Sequence, residues 1–396
     1  MTAVVVAVEY LAWIYATHYL GPPYYIGDQN SVCPDFQNNF SINYFQLYPG
    51  NAEFDRGNCL LYVPSLYNST LGVFDPNKNE LVNIVEFPGI SHNPDVRLTG
   101  IDIHSRTGLI SILATSTAAF ETQPAGSDLS GDNIAMLYDP VKKAVVFRSN
   151  LTVTSQGGYG GFTDLEQDPF GNIYVSGKYP GSIMRLDKFD TDSPRVQQWY
   201  ISEGRKTTTP GFGGLAAHNW ILLTHDNSDG QILKFNLGDD RGKPVVVPVL
   251  PKNVFRDSTT SYLPPKYRGT VLLVSGGRGV RVFQSEDAKW NKAEYVGTVY
   301  KSQFDVPKHD MAVATVQVGD GINMVVLPKF DKVVPGTLAG DRSEFPFYDI
   351  TQYVDGLLAQ PNATDAVSGE KVKVDVTVGT SAGPVKEGGH HDKGEK

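Results

Sequence analysis

Residues 157–186 read GGYGGFTDLEQDPFGNIYVSGKYPGSIMRL, and the punctuation of this stretch decides the fold. Phe162–Leu165 alternates towards a turn at Asp168–Asn172, where Pro169 and Gly171 supply dihedrals that β-branched residues avoid. Ile173–Val175 is an apolar run of the buried-strand type, and Ser182–Leu186 is a third strand behind a Tyr-Pro-Gly turn. Three short strands joined by tight turns form an antiparallel meander whose edges are open, so the unit needs neighbours.

The chain supplies five more. Before the central stretch, Arg97–Phe147 carries LTGIDI, LISILATS, IAMLYDP and AVVF, with an insertion near 120–132, and Glu53–Phe87 has the same order. Asp75-Pro76 and Asp139-Pro140 fall at one place in these two units, after the third strand. Beyond it lie Pro210–Leu250 (GFGGLAA, NWILLTH, GQILKFNL, VVVPVL), Tyr267–Val299 (TVLLVSG, VRVFQS, AEYVGTV) and Met311–Val354 (MAVATVQ, INMVVLP, FPFYDITQYV). First strands are thus expected near residues 54, 101, 162, 213, 270 and 312. An irregular repeat of roughly 40 to 60 residues with about four strands per copy is the signature of a propeller blade. The prediction is an all-β, six-bladed β-propeller of four-stranded antiparallel blades, spanning residues 21–360. A pair of β-sandwiches does not account for six copies of one pattern.

Composition agrees: 40 Gly and 25 Pro punctuate a chain of 396 residues that also holds 20 Tyr and 19 Phe. The net charge of −9, without a Lys/Arg cluster, argues against a nucleic-acid partner. Residues 1–20 are apolar but interrupted by Glu9 and His18, too short and polar to span a bilayer. They read as a secretory signal with Ile14-Tyr15-Ala16 as candidate cleavage site, or as a segment packed on the body. Residues 361–396 turn to Ala, Ser, Gly, Lys and Glu and end in GGHHDKGEK, which predicts a disordered tail.

Cys33 and Cys59 are the two cysteines, with no spacing that suggests a metal. Paired, they would tie an N-terminal arm to the first unit and add about 3 kcal/mol; unpaired, they are two buried thiols. Four N-x-S/T sequons, at Asn39, Asn68, Asn150 and Asn362, favour a secreted or vesicular address and mark glycosylation candidates.

In a propeller, loops before first strands and after second strands converge on one mouth of the central channel, where function is expected. The residues so placed include Arg97, Tyr159, Phe162, Asp164, Lys178, Tyr179, Phe212, His225, Asp226, Arg278, Lys308, His309, Asp310, Lys329 and Phe330. Tyr159, Phe162, Tyr179, Phe212 and Phe330 suit an apolar mouth, with Arg97 or Arg278 holding substrate oxygens. His225 and Lys308 complete the binding set. His309, Lys178 and Asp164 are the proton-transfer candidates, His309 because its pKa lies naturally near neutrality. Each also has a structural reading: Asp164 as a loop cap, His225-Asp226-Asn227 as an Asx turn, Lys308-His309-Asp310 as a surface turn. Ser275–Gly279 precedes no helix, so it is not read as a phosphate loop. No serine occupies a nucleophile elbow. A lactonase-type metal set needs oxygen ligands from several blades; Glu53, Asp164 and Asp310 are available, but Asn-Gly ligand turns are not. No metal or cofactor is therefore expected.

FDRGNCLLYVPSLYNSTLGVFDP, the 157–187 stretch, TPGFGGLAAHNWILLTHDNSDGQILKFNL and FPFYDITQYVDG resemble one fungal family over residues 45–355. It groups trichothecene-cluster propeller proteins with a secreted yeast skin allergen. The resemblance implies a six-bladed propeller, usually secretory and glycosylated, often encoded beside secondary-metabolite enzymes. Some relatives are cofactor-free cyclases, including hetero-Diels–Alderases that join a tropolone-type o-quinone methide to a humulene-type sesquiterpene. The trichothecene member is associated with a ring closure, and the allergen with lipid binding. What the resemblance implies here is a cyclase acting on small hydrophobic partners, a terpene and a polyketide-derived tropolone. Intramolecular ring closure, a non-catalytic lipid carrier and a metal-dependent lactonase are the alternatives.

Overall fold

The computed structural model describes residues 33–187, 195–252 and 254–360. The expected segments 1–20 and 361–396, and Asn362, lie outside them. The described chain forms six sheets, antiparallel but for one short pair. Blade 1 is β2–β5 (Glu53–Asp55, Leu60–Pro64, Leu71–Asp75, Glu80–Val85), after an arm that contains β1 (Phe40–Asn43). Blade 2 is β6–β9 (Val96–Ile103, Ile110–Ser116, Ile134–Asp139, Ala144–Asn150), and blade 3 is β10–β13 (Gly160–Gln167, Ile173–Tyr179, Ser182–Leu186, Val196–Ile201). Blade 4 is β14–β17 (Phe212–His218, Ile221–Asp226, Gln231–Asn236, Val245–Val247). Blade 5 comprises β18–β22 (Val249–Leu250, Ser258–Tyr262, Val271–Gly276, Gly279–Gln284, Ala293–Tyr300), and blade 6 β23–β25 (Met311–Val318, Gly321–Leu327, Glu344–Asp349) plus β1. Each inner strand touches those of its two neighbours, and β23 touches β2, which closes the ring.

Packing follows from alternation: each sheet buries both faces against flanking blades, and six apolar clusters fill the six interfaces. Second strands are sandwiched on both sides, so Ile110–Ser116 is buried throughout. The arm closes the circle, with Phe40 opposite Phe347 in an antiparallel pair. Its ring stacks on Phe347 at 4.7 Å and on Phe74 of blade 1 at 5.3 Å. The Cys33–Cys59 disulfide fastens the same arm to the first turn of blade 1. Asp75 and Asp139 do equivalent work: each accepts two backbone N–H bonds at 3.0–3.2 Å in the turn it begins. Asp168 holds the 168–172 turn in the same way, and Gly171 there has φ +91°.

Three details depart from the sequence expectation. The inner strand of blade 5 is the polar segment Ser258–Tyr262, and Val271–Gly276 is its second strand. Hydrophobic runs mark second strands, while an inner strand beside a wet channel need not be apolar. The VVVPVL run divides, Val245–Val247 joining blade 4 and Val249–Leu250 pairing in parallel with β22 of blade 5. In blade 6, β25 stops at Asp349, and Thr351–Leu358 is a helix whose Val354 and Leu357 cover the interface of blades 5 and 6.

Of the sequons, Asn39 is exposed. The side-chain amide of Asn68 donates to the Gln46 carbonyl at 3.2 Å, and that of Asn150 to Asp132 at 2.6 Å.

Candidate functional site

The six inner strands repeat one topology, so their starts meet at one end of the channel, the upper mouth, and their ends at the other. The upper mouth holds the sequence candidates, but not as one pocket. Phe162 and Phe212 are fully buried between blades, and Tyr159 packs with Phe162 at 6.4 Å. Tyr179 is sealed under the blade 2 insertion, against Ala119, Leu129 and Phe120. These four aromatics therefore belong to the interior rather than to an open apolar mouth, a correction traceable to the insertion and the tight inter-blade packing.

His225 is buried too. It lies parallel to the Phe255 ring at 3.9 Å, with Nδ1 2.9 Å from Ser258 Oγ. Burial, then the Arg281 charge, pushes its pKa down to about 3, so the ring is neutral. Arg97 is committed to Glu121 at 3.1 Å and to two backbone carbonyls. Asp310 pairs with Arg342 at 3.3 Å. The buried Lys301 ammonium donates to the carbonyls of Pro307, Lys308 and Asp310, which fixes that loop from beneath. Lys308 and His309 consequently point outward, His309 edge-on to the exposed Phe330 at 6.4 Å, and Arg278 is exposed on the rim. Lys178, at the end of β11, is half-buried at the mouth.

Asp164 lies deeper, at a bulge of β10. Its carboxylate accepts from the Leu215 N–H at 3.1 Å and from Asn51 at 3.2 Å. Burial outweighs both bonds and pushes its pKa up to about 8.

Below Asp164 the channel opens into a cleft of about 320 Å³, lined by Glu53, Asp102, Glu166, Trp220 and Tyr262 among others. Three of these are acids on three adjacent inner strands. Burial pushes Glu53 up to about 8, with the Asp102 charge adding to it and Arg56 opposing. Glu166 rises well above the carboxylate range, through burial first and then the charges of Asp102, Asp164 and Glu53. Burial raises Asp102 as well, but only to about 6, because the Gln167 N–H donates to its Oδ2 at 2.8 Å and favours the anion. Burial thus pushes Glu53 and Glu166 towards the acid form while the Gln167 N–H favours the Asp102 anion, the division of labour that acid–base chemistry needs. The walls add apolar surface: Trp220 packs on Phe170 at 5.0 Å, and Tyr262 is held neutral by burial.

The sequence reading missed Asp102 and Glu166 and weighed Glu53 only as a metal ligand. A signal was present, since Asp102 and Glu166 are each the penultimate residue of an inner strand. The metal set Glu53, Asp164 and Asp310 is not brought together: among the described residues no group of three His, Cys, Asp or Glu is placed to hold an ion.

No protein-family model matches the chain. It is 31% identical over 348 residues to trichothecene biosynthesis protein 14 of Trichoderma arundinaceum, covering 83% of this chain and 93% of that protein. Core trichothecene cluster protein 14 of Fusarium sporotrichioides is 28% identical over 366 residues, covering 87% and 93%. Among solved structures, the Malassezia sympodialis allergen Mala s 1 superposes with a TM-score of 0.66 at 17% identity, over 79% of this chain and 96% of the allergen. With its six closed blades and its likeness to these proteins along most of its length, the chain belongs to the trichothecene-cluster protein 14 family, propeller proteins of fungal secondary metabolism.

Proposed function

We propose that the protein is a cofactor-independent cyclase that removes water from an oxygenated terpenoid in the lower cleft and closes a ring. The observation that carries this reading is the convergence of Glu53, Asp102 and Glu166 from three adjacent inner strands on one cleft, where burial favours the acid form of both glutamates and the Gln167 N–H favours the Asp102 anion. Glu166 protonates a hydroxyl, the C–O bond breaks and water leaves. A second oxygen attacks the carbon released, and its proton passes to the Asp102 carboxylate, from which it returns to Glu166. A positioned acid supplies roughly 10²–10⁴-fold, and holding the two reacting centres together supplies more. Trp220 and Tyr262 shield the cationic intermediate from bulk water.

Two forms of this chemistry fit the cleft. The first is ring closure within one molecule; the names of the relatives support a place in trichothecene-type secondary metabolism and no more. In the intermolecular form, loss of water from a tropolone-type alcohol gives an o-quinone methide, which adds across a humulene-type alkene in a hetero-Diels–Alder step. The Cys33–Cys59 disulfide supports an oxidising, secretory address for either. The test is Glu166→Gln, which keeps shape and removes the proton: conversion falls at least about 100-fold in a protein of unchanged melting temperature. Full activity in that variant contradicts the assignment, and saturable binding of terpenoids without conversion would make the protein a carrier.

A further inference from the structure

The three acids of the lower cleft belong to a longer series. Blades 4 and 5 add His218 and Tyr262, so the inner strands of five successive blades each send one ionisable side chain to the same cavity. Cross-strand partners show how these side chains lean, since residues directly opposite share a face. Tyr62, Tyr174, Ile221 and Leu273 stand opposite Glu53, Glu166, His218 and Tyr262, and each packs into the interface with the following blade. Asp102 leans the same way, onto the Gln167 N–H of blade 3, and the Tyr262 hydroxyl accepts from the Gln317 N–H of blade 6 at 3.1 Å. His218 is thus the blade 4 counterpart of Glu166, and the two are close along the chain of contacts: the Ala217 N–H lies against the Glu166 carboxyl. Its ring is fixed in place. A two-residue turn joins His218 to Ile221, with Asn219 at φ +55°, and a Cβ on Gly269 of blade 5 would collide with the imidazole. Neither ring nitrogen has a hydrogen-bond partner among the described residues.

We propose that His218 is a further substrate-contacting residue of the lower cleft, whose imidazole N–H donates to the hydroxyl oxygen that leaves as water. The proposal rests on the reading of that cleft as the site of ring closure. A neutral imidazole carries one N–H and one acceptor nitrogen. The N–H turns a lone pair of the substrate oxygen towards the Glu166 O–H and stays with the departing water; no proton passes to or from the ring. Burial lowers the pKa of His218 and keeps the ring neutral, whereas an imidazolium would set a positive charge beside the developing carbocation. Trp220, two residues on and packed on Phe170, offers apolar wall for a hydrocarbon body. The substrate class is therefore a terpenoid alcohol whose hydroxyl sits at the boundary of blades 3 and 4.

Diethyl pyrocarbonate acylates accessible neutral imidazoles, and peptide mass mapping reads each histidine separately. Farnesol serves as the terpenoid alcohol probe, and His309, exposed on the outer rim, is the internal control. The expected result is that farnesol slows labelling of His218 about ten-fold or more and leaves His309 unchanged. In the extract assay, His218→Leu, which removes the N–H at similar bulk, lowers conversion about ten-fold or more. His218→Gln, which retains an N–H, recovers most of that loss. A ring that merely packs against Gly269 would be labelled alike with and without farnesol. Unchanged labelling of His218, or full conversion by a folded His218→Leu protein, overturns the proposal. Protection of His218 together with full activity in Glu166→Gln leaves the ligand contact standing and removes the cyclase reading. An inactive Glu166→Gln protein with His218 unprotected in the parent does the reverse.

Discussion

The two ends of the channel are built from the same six inner strands and differ in what those strands leave unsatisfied. At the lower end, Glu53, Asp102 and Glu166 crowd acids into a confined cleft, where burial pushes the two glutamates towards the protonated form and Asp102 less so. At the upper end, most charges are answered locally: Arg97 by Glu121, Asp310 by Arg342, and Lys301 by three carbonyls. Proximity to the axis is therefore a poor guide to chemistry, and residual charge is a better one.

The strongest way to break this contrast is Glu166→Gln, expected to cost at least about 100-fold in turnover where the upper rim costs little. Asp102→Asn removes the base, and roughly the same loss is expected, with no compensating change in the thermal transition. The pH profile sharpens the point. Asp102 must be ionised and Glu166 protonated, so activity rises through about pH 6 and falls at higher pH as Glu166, held above the carboxylate range by burial, loses its proton. A flat profile across that range would place proton transfer elsewhere.

Stability should follow the same acids. Asp164 binds its proton more tightly folded than unfolded, so its contribution is complete at low pH and is lost as pH rises towards about 8. The melting temperature of the parent protein is expected to fall between pH 5.5 and 8.5, as an estimate from that window, and Asp164→Asn to flatten the fall. The smallest effect belongs to His309→Ala, about two-fold or less in turnover, because the ring is on the outer rim against Phe330. A ten-fold loss or more, the low end for a proton-transfer group, would return the chemistry to the upper mouth.

The fold was legible because turns are written locally. Asp168-Pro-Phe-Gly-Asn, Asp75-Pro and Asp139-Pro each specify their own hydrogen bonds, and apolar second strands announce each blade. Blade 5 was misregistered because Ser258–Tyr262 has no apolar run, and the closing strand Phe40–Asn43 was hidden because its partner lies some three hundred residues away. The site was less legible. Whether Phe212 faces a ligand or a neighbouring blade depends on long-range packing, and the burial of Tyr179 depends on an insertion from another blade. Asp102 and Glu166 look ordinary until their strands are placed side by side around the axis.

The most direct test of the account is to incubate the purified protein with extract from a fungus that lacks it and compare masses before and after. The account predicts a new ion equal to one metabolite less water, or to the sum of two less water, formed by the parent protein and not by Glu166→Gln. A metabolite that co-purifies unaltered, with no new ion in any extract, would contradict it.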